Sequence, residues 1–180
     1  FYYYLGVAYY QTDKKEEALD VLKKGTGQLN EKSDKKIVSD FYAIMGDIYH
    51  TKNMNNEAYA AYDSSLVYNP ENIGSLNNYA YYLSVEHKNL DKEEEMSYKT
   101  INAETQNRTY LDTYAWILFE KKKYTEALIY IEQAMKNGGD KSSVIVEHCG
   151  DISFMNGDKE SAMKYWKQAD AMENESKTLK

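Results

Sequence analysis

Five small residues, Gly6, Gly46, Ala80, Ala115 and Gly150, recur along the 180-residue chain at intervals of 40, 34, 35 and 35. A small residue at that period marks a place where two helices touch. A chain built this way stacks its units on one another and closes no single core. Residues 39–72 give the cleanest unit. With Ser39 as position 1, Tyr42 falls at position 4, Met45 at 7, Gly46 at 8, Tyr49 at 11, Ala58 at 20, Tyr62 at 24, Ser65 at 27 and Pro70 at 32. Positions 4, 7, 8 and 11 share one helical face, and positions 20, 24 and 27 share a face of a second helix. Small side chains at 8, 20 and 27 let the two backbones approach, and the large ones fill the space beside the contact. Pro70 cannot continue the second helix.

The same frame fits the rest of the chain. The first unit carries Tyr2, Leu5, Gly6, Tyr9, Ala18, Leu22 and Gly25, and the fourth Leu111, Tyr114, Ala115, Leu118, Ala127, Ile131 and Ala134. The fifth carries Val146, Cys149, Gly150, Ala162, Trp166 and Ala169. The third reads Leu76, Tyr79, Ala80 and Leu83, after which its second helix is displaced by one residue and puts Glu93 where alanine is expected. Proline is present only at Pro70; Asn30, Thr105, Gly139 and Asn174 stand in its place elsewhere. Large-large-small-large followed by small-large-small resembles the tetratricopeptide repeat. That resemblance implies an all-α chain, a right-handed α-solenoid of five helix-turn-helix units at 1–32, 39–72, 73–107, 108–141 and 143–176, forming one superhelix over 1–180. Residues 31–38 are expected to extend a helix or form a loop. Asp13 with Glu16, and Asp91 with Glu94, have capping-box spacing and are expected to open second helices. The chain opens on Phe1 inside a helix, which reads as a piece of a longer protein, and Glu175-Ser-Lys-Thr-Leu-Lys180 reads as the start of a capping helix. The Tyr-, Lys- and Asn-rich style, as in Leu111-Asp-Thr-Tyr-Ala-Trp-Ile-Leu-Phe119, resembles tetratricopeptide proteins of Bacteroides-type bacteria. Such proteins are cytoplasmic or exported, so the compartment stays unassigned.

Enzymatic chemistry finds little support. Cys149 is the only cysteine and lies on the packing face, where a thiol acts as a small apolar residue. His50, His87 and His148 fall in three different repeats, which is not metal-ligand spacing; His148 with Asp151 reads as a surface pair. Glu93-Glu94-Glu95 reads as a solvated face. No phosphate loop, nucleophile elbow or metalloprotease motif occurs, so no cofactor and no metal are expected. The net charge of −7 argues against a nucleic-acid surface, and no apolar run is long enough to span a bilayer.

The resemblance implies a binding groove. Positions 2, 5, 9 and 12 of each first helix would face it, which selects Asp47, Asn77, Tyr81, Asp112, Trp116, Phe119, Glu147 and Asp151 among others, with no Lys or Arg at any such position. Aromatic anchors in an acidic surround suit a neutral or basic protein segment. The clamp by which some family members grip a C-terminal carboxylate needs Lys, Asn and Arg there; only Asn77 matches, which disfavours that use. The expectation is a non-catalytic protein-protein interaction scaffold binding a peptide, helix or neighbouring domain. The alternatives are a structural spacer or a substrate-recruiting arm of a larger enzyme or assembly. Self-association through exposed solenoid ends is a corollary.

Overall fold

The computed structural model describes residues 1–87 and 89–178. They form ten α-helices: α1 Tyr2–Gln11, α2 Lys15–Thr26, α3 Lys35–Thr51, α4 Asn55–Tyr68, α5 Ile73–Val85, α6 Leu90–Ala103, α7 Arg108–Glu120, α8 Tyr124–Lys136, α9 Ser143–Met155 and α10 Lys159–Thr178, with a short 3-10 turn at Gly139–Lys141. There is no strand among the described residues. Two compact units divide the chain, one from Phe1 to Tyr79 and the other from Ala80 onward.

Each helix pair is closed by the same device. Position 15 of every repeat takes left-handed backbone: φ is 57° at Asp13, 57° at Asn53, 53° at His87, 59° at Lys122 and 90° at Gly157. In the first, second, fourth and fifth repeats the residue after it donates its N–H five residues back, Lys14 to Tyr9, Met54 to Tyr49, Lys123 to Leu118 and Asp158 to Ser153, at 2.9 to 3.0 Å. This is a Schellman closure, which satisfies orphan carbonyls at the end of the first helix and turns the chain into the second. The first helices of the later repeats open on Asp34, Asn107 and Ser142, whose side chains accept backbone N–H groups of the first turn; Asn72 does the same for Ser75. Residues 31–33 are loop, and α3 begins one turn earlier than the frame requires.

In the first unit α1 packs on α2, α3 on α4, and α3 on both α1 and α2. Gly6 and Gly46 sit where a Cβ would stand 2.6 Å from Leu22 and 2.7 Å from Tyr62. In the second unit α7 pairs with α8 and α9 with α10, and α9 also seats on α7 and α8. Gly150 lies against Trp166, a Cβ there standing 2.6 Å away. Ala115 instead shares one buried cluster with the smaller Ile131. In the second and fifth repeats glycine faces an aromatic ring, whereas Gly6 faces Leu22, a side chain no larger than Ile131. Ala18, Ala58, Ala127 and Ala162, all at position 20, have no exposed surface.

A second regularity ties neighbouring repeats. Position 14 reaches back to the start of the preceding repeat's second helix: Lys52 Nζ to Glu16, Lys121 to Asp91 and Glu94, and Asn156 Nδ2 to the Tyr124 carbonyl at 2.8 Å. In the first unit, Ser39, Ser65 and Ser75 form a fully buried chain of hydroxyls 2.9 and 2.7 Å apart, joined by Asn72 Nδ2 at 2.9 Å from Ser39.

Four expectations are corrected. Neither capping box forms: Asp13 occupies the left-handed turn, and α6 is capped by Asn89 while Asp91 pairs with Lys121. The Glu93–Glu95 run is not a solvated face, because Glu93 is fully buried and Glu94 is held by Lys121 and Lys123. The one-residue shift in the third repeat turns Glu93 inward. Lastly, α10 runs unbroken through Glu175, so no separate capping helix starts there; Leu179 and Lys180 lie outside the described residues.

Candidate functional site

In the first unit the first-helix acids are anchored into the fold. Asp47 of α3 accepts the hydroxyls of Tyr62 and Tyr10 and the amide of Asn78, the last at 2.9 Å. Asp40 accepts Tyr3 at 3.3 Å and Asn72 at 2.9 Å. Burial pushes the Asp47 carboxyl above the usual carboxylate range, against the pull of its three donors. Burial, with Asp47 adjoining, also lifts the Tyr10 hydroxyl to about 12. Asn77 is buried, donates to Asn78 Oδ1 at 3.2 Å, and its own Oδ1 meets no partner among the described residues.

The second unit arranges its residues differently. Trp116 of α7 stacks on Phe119 at 4.8 Å and 20°, and on His148 of α9 at 4.1 Å and 21°. His148 Nδ1 lies 2.9 Å from Asp112 Oδ1, and both side chains are buried. The sequence expectation of a surface His148 paired with Asp151 is therefore wrong. His148 is at position 6 of its repeat, between Ile145 and Ile152 on the face that meets α7, and Asp112 supplies the polar partner that lets an imidazole lie there. Tyr81 is half-buried; desolvation raises its pKa, and the negative charges of Asp112 and Glu147 raise it further. Glu147 is exposed. Asp151 accepts the Trp166 indole N–H at 2.9 Å, and Phe154 leans on Trp166 at 5.6 Å while remaining 44 % exposed.

Thus Tyr81, Asp112, Trp116, Phe119 and Glu147 are gathered by α7, α9 and their neighbours in the second unit, with His148 as a member the sequence reading missed. Asp151 is tied to Trp166 and belongs with α10. The detectable signal for His148 was its position: 3, 6 and 10 face the preceding repeat. Burial lifts the Cys149 thiol to about 11, so it is not an activated nucleophile. No group of His, Cys, Asp and Glu among the described residues is placed to hold a metal ion. No described helix is long and apolar enough to cross a membrane.

No protein-family model matches the chain, and no curated relative matches it by sequence. Solved structures do match. MamA of strain AMB-1 superposes with a TM-score of 0.74 at 14% identity, covering 97% of this chain and 98% of that one. PilF of Pseudomonas aeruginosa gives 0.73 at 18% identity over 95% of this chain and 74% of that one. PilW, described as a type IV pilus biogenesis factor, gives 0.76 at 12% identity over 96% and 76%. With ten helices in a repeat arrangement among the described residues, the chain has the tetratricopeptide-repeat fold that these structures share.

Proposed function

We propose that this protein is a non-catalytic scaffold that holds a neutral or basic protein segment on the acidic, aromatic face of its second unit. The observation that carries the reading is the half-buried Trp116 stacked on both Phe119 and His148, with Tyr81 near the carboxylates of Asp112 and Glu147. Rigid stacked aromatics supply contact area at little entropic cost, and uncompensated negative charge at the rim selects for Lys or Arg on the partner. Asp112 itself is committed to His148, so the charge offered to a partner comes chiefly from Glu147. Asp47 and Asn77 are committed to the interior of the first unit.

The test is a binding series with unstructured peptides of equal length, carrying Lys, Gln or Glu at alternate positions, measured by calorimetry. The reading expects the Lys peptide to bind tightest, Trp116→Ala to weaken it by roughly tenfold or more, and Glu147→Gln to reduce its salt dependence. Equal binding of the Glu peptide, or an unchanged affinity in Trp116→Ala, would discard it.

A further inference from the structure

Against Trp116 the second unit buries a titratable pair. His148 Nδ1 stands 2.9 Å from Asp112 Oδ1, the two residues are 7 % and 6 % exposed, and the imidazole lies 4.1 Å from the indole at 21°. A buried imidazole needs only an acceptor. Here the acceptor is a carboxylate, so the charge of the pair depends on one proton. With the imidazole neutral, Nδ1–H donates and the pair keeps the charge of Asp112; with it protonated, the pair is neutral. Imidazole is the side chain whose charge ordinarily changes between about pH 5 and 8.

Among the described residues it is Asp112 of α7 that hydrogen-bonds to His148. On the other elements packed against α9, Glu132 of α8 and Tyr165 of α10 act on the Cys149 thiol, and Asp140 and Lys141 of the 3-10 turn are exposed. Helix α9 itself adds Glu147, which is exposed, and Asp151, which accepts the Trp166 indole. Tyr81 of α5 feels the charges of both Asp112 and Glu147, so the charge of the buried pair reaches the surface beside it. We propose that His148 is a pH gate on this face: neutral, it leaves Asp112 charged and adding to Glu147, and a Lys- or Arg-bearing segment binds; protonated, it cancels Asp112, sets a cation against Trp116, and the segment is released. The gate rests on the binding role proposed above for the Trp116 face. Its two effects have the same sign, because one attracting charge is lost and a repelling one gained within a few ångströms.

The experiment follows the alternating-Lys and alternating-Gln peptides by calorimetry between pH 8 and pH 5.5, both acetylated and amidated so that neither titrates in that range. The three histidine Cε1–H signals of the full chain are followed by NMR over the same range, and His148→Gln identifies the His148 signal by its loss. The Kd of the Lys peptide should rise roughly fivefold as the pH falls, in step with the His148 signal, while the Gln peptide shows no such rise. Binding within the titration should release protons, seen as an apparent enthalpy that differs between phosphate and Tris buffers. His148→Gln should bind the Lys peptide equally at both ends of the range. A His148 signal that stands still, a Kd that stays flat while that signal moves, or a pH dependence that survives in His148→Gln would overturn the gate. Where the variant loses its fold, the contrast between the two peptides on the parent protein decides the matter. A Lys peptide that binds at no pH is the separate failure of the binding role, and the gate falls with it.

Discussion

Gly46→Ala probes the helix contact on which each repeat depends. A Cβ at Gly46 would stand 2.7 Å from Tyr62 Cε1 and 2.9 Å from Cδ1 and Cζ, so it meets the whole edge of the ring. The ring must retreat by about 0.7 Å to reach ordinary contact, and it has nowhere free to go. Tyr62 is fully buried, stacks on Tyr79 at 5.5 Å, and donates its hydroxyl to Asp47. Overpacking costs ~1–3 kcal/mol, and weakening the hydrogen bond to a charged acceptor adds ~1.5–3 kcal/mol. Replacing glycine by alanine within a helix returns about 1 kcal/mol. The net expectation is a loss of ~1.5–5 kcal/mol, read as a lowered urea midpoint by circular dichroism. The fourth repeat supplies the rescue, because there alanine is matched with Ile131. Gly46→Ala combined with Tyr62→Ile should therefore be less damaging than the two single changes added together, with a coupling above about 1 kcal/mol. A Gly46→Ala protein within about 0.5 kcal/mol of the parent, or a cycle with no coupling, would refute the idea that these two side chains share one fixed volume.

Three further outcomes follow from the same structure. Glu93 is buried with Oε2 unpartnered among the described residues, and its raised pKa means the carboxyl's favourable contribution is present below its unfolded value and lost as pH rises through the folded one. Glu93→Gln should accordingly stabilise at pH 7 by ~1–2 kcal/mol, the gain vanishing toward pH 4 in melts taken across that range. Lys122 holds φ of 59° where the fifth repeat uses Gly157, so Lys122→Gly should raise stability by up to ~1 kcal/mol and Gly157→Lys should lower it by a similar amount, measured by urea titration. Ser65 links Ser39 and Ser75, and Ser65→Ala removes the hydroxyl partner of Ser75 while Ser39 keeps only the Asn72 amide, for a cost of ~1–3 kcal/mol in the same assay.

What the sequence made legible was whatever depends on side-chain size at a fixed period. The alternation of large and small residues located Gly46 against Tyr62 and Ala18, Ala58 and Ala127 in the core, because interhelical distance is set locally and repeats with the frame. What it hid were interactions between repeats, where partners are about 30 to 37 residues apart and no local spacing points to them. His148 looked like a surface residue until Asp112 appeared beside it, and Asp47 looked free until three donors converged on it. Glu93 was misread for a different reason: the displaced frame put it at the alanine position, but three consecutive glutamates read as a solvated face, and the structure follows the frame. The left-handed turn at position 15 was also hard to see, since Asp, Asn, His and Gly tolerate that conformation but Lys122 does not share their preference and no single residue type marks the position.

The most direct test of the proposed binding face is an NMR titration of protein carrying ¹⁵N-labelled indoles, which gives one Nε1–H signal from Trp116 and one from Trp166. Addition of the alternating-Lys peptide should move the Trp116 signal saturably, and the Glu peptide should leave it in place. A Trp116 signal that ignores the Lys peptide, or that responds equally to both, would contradict the account.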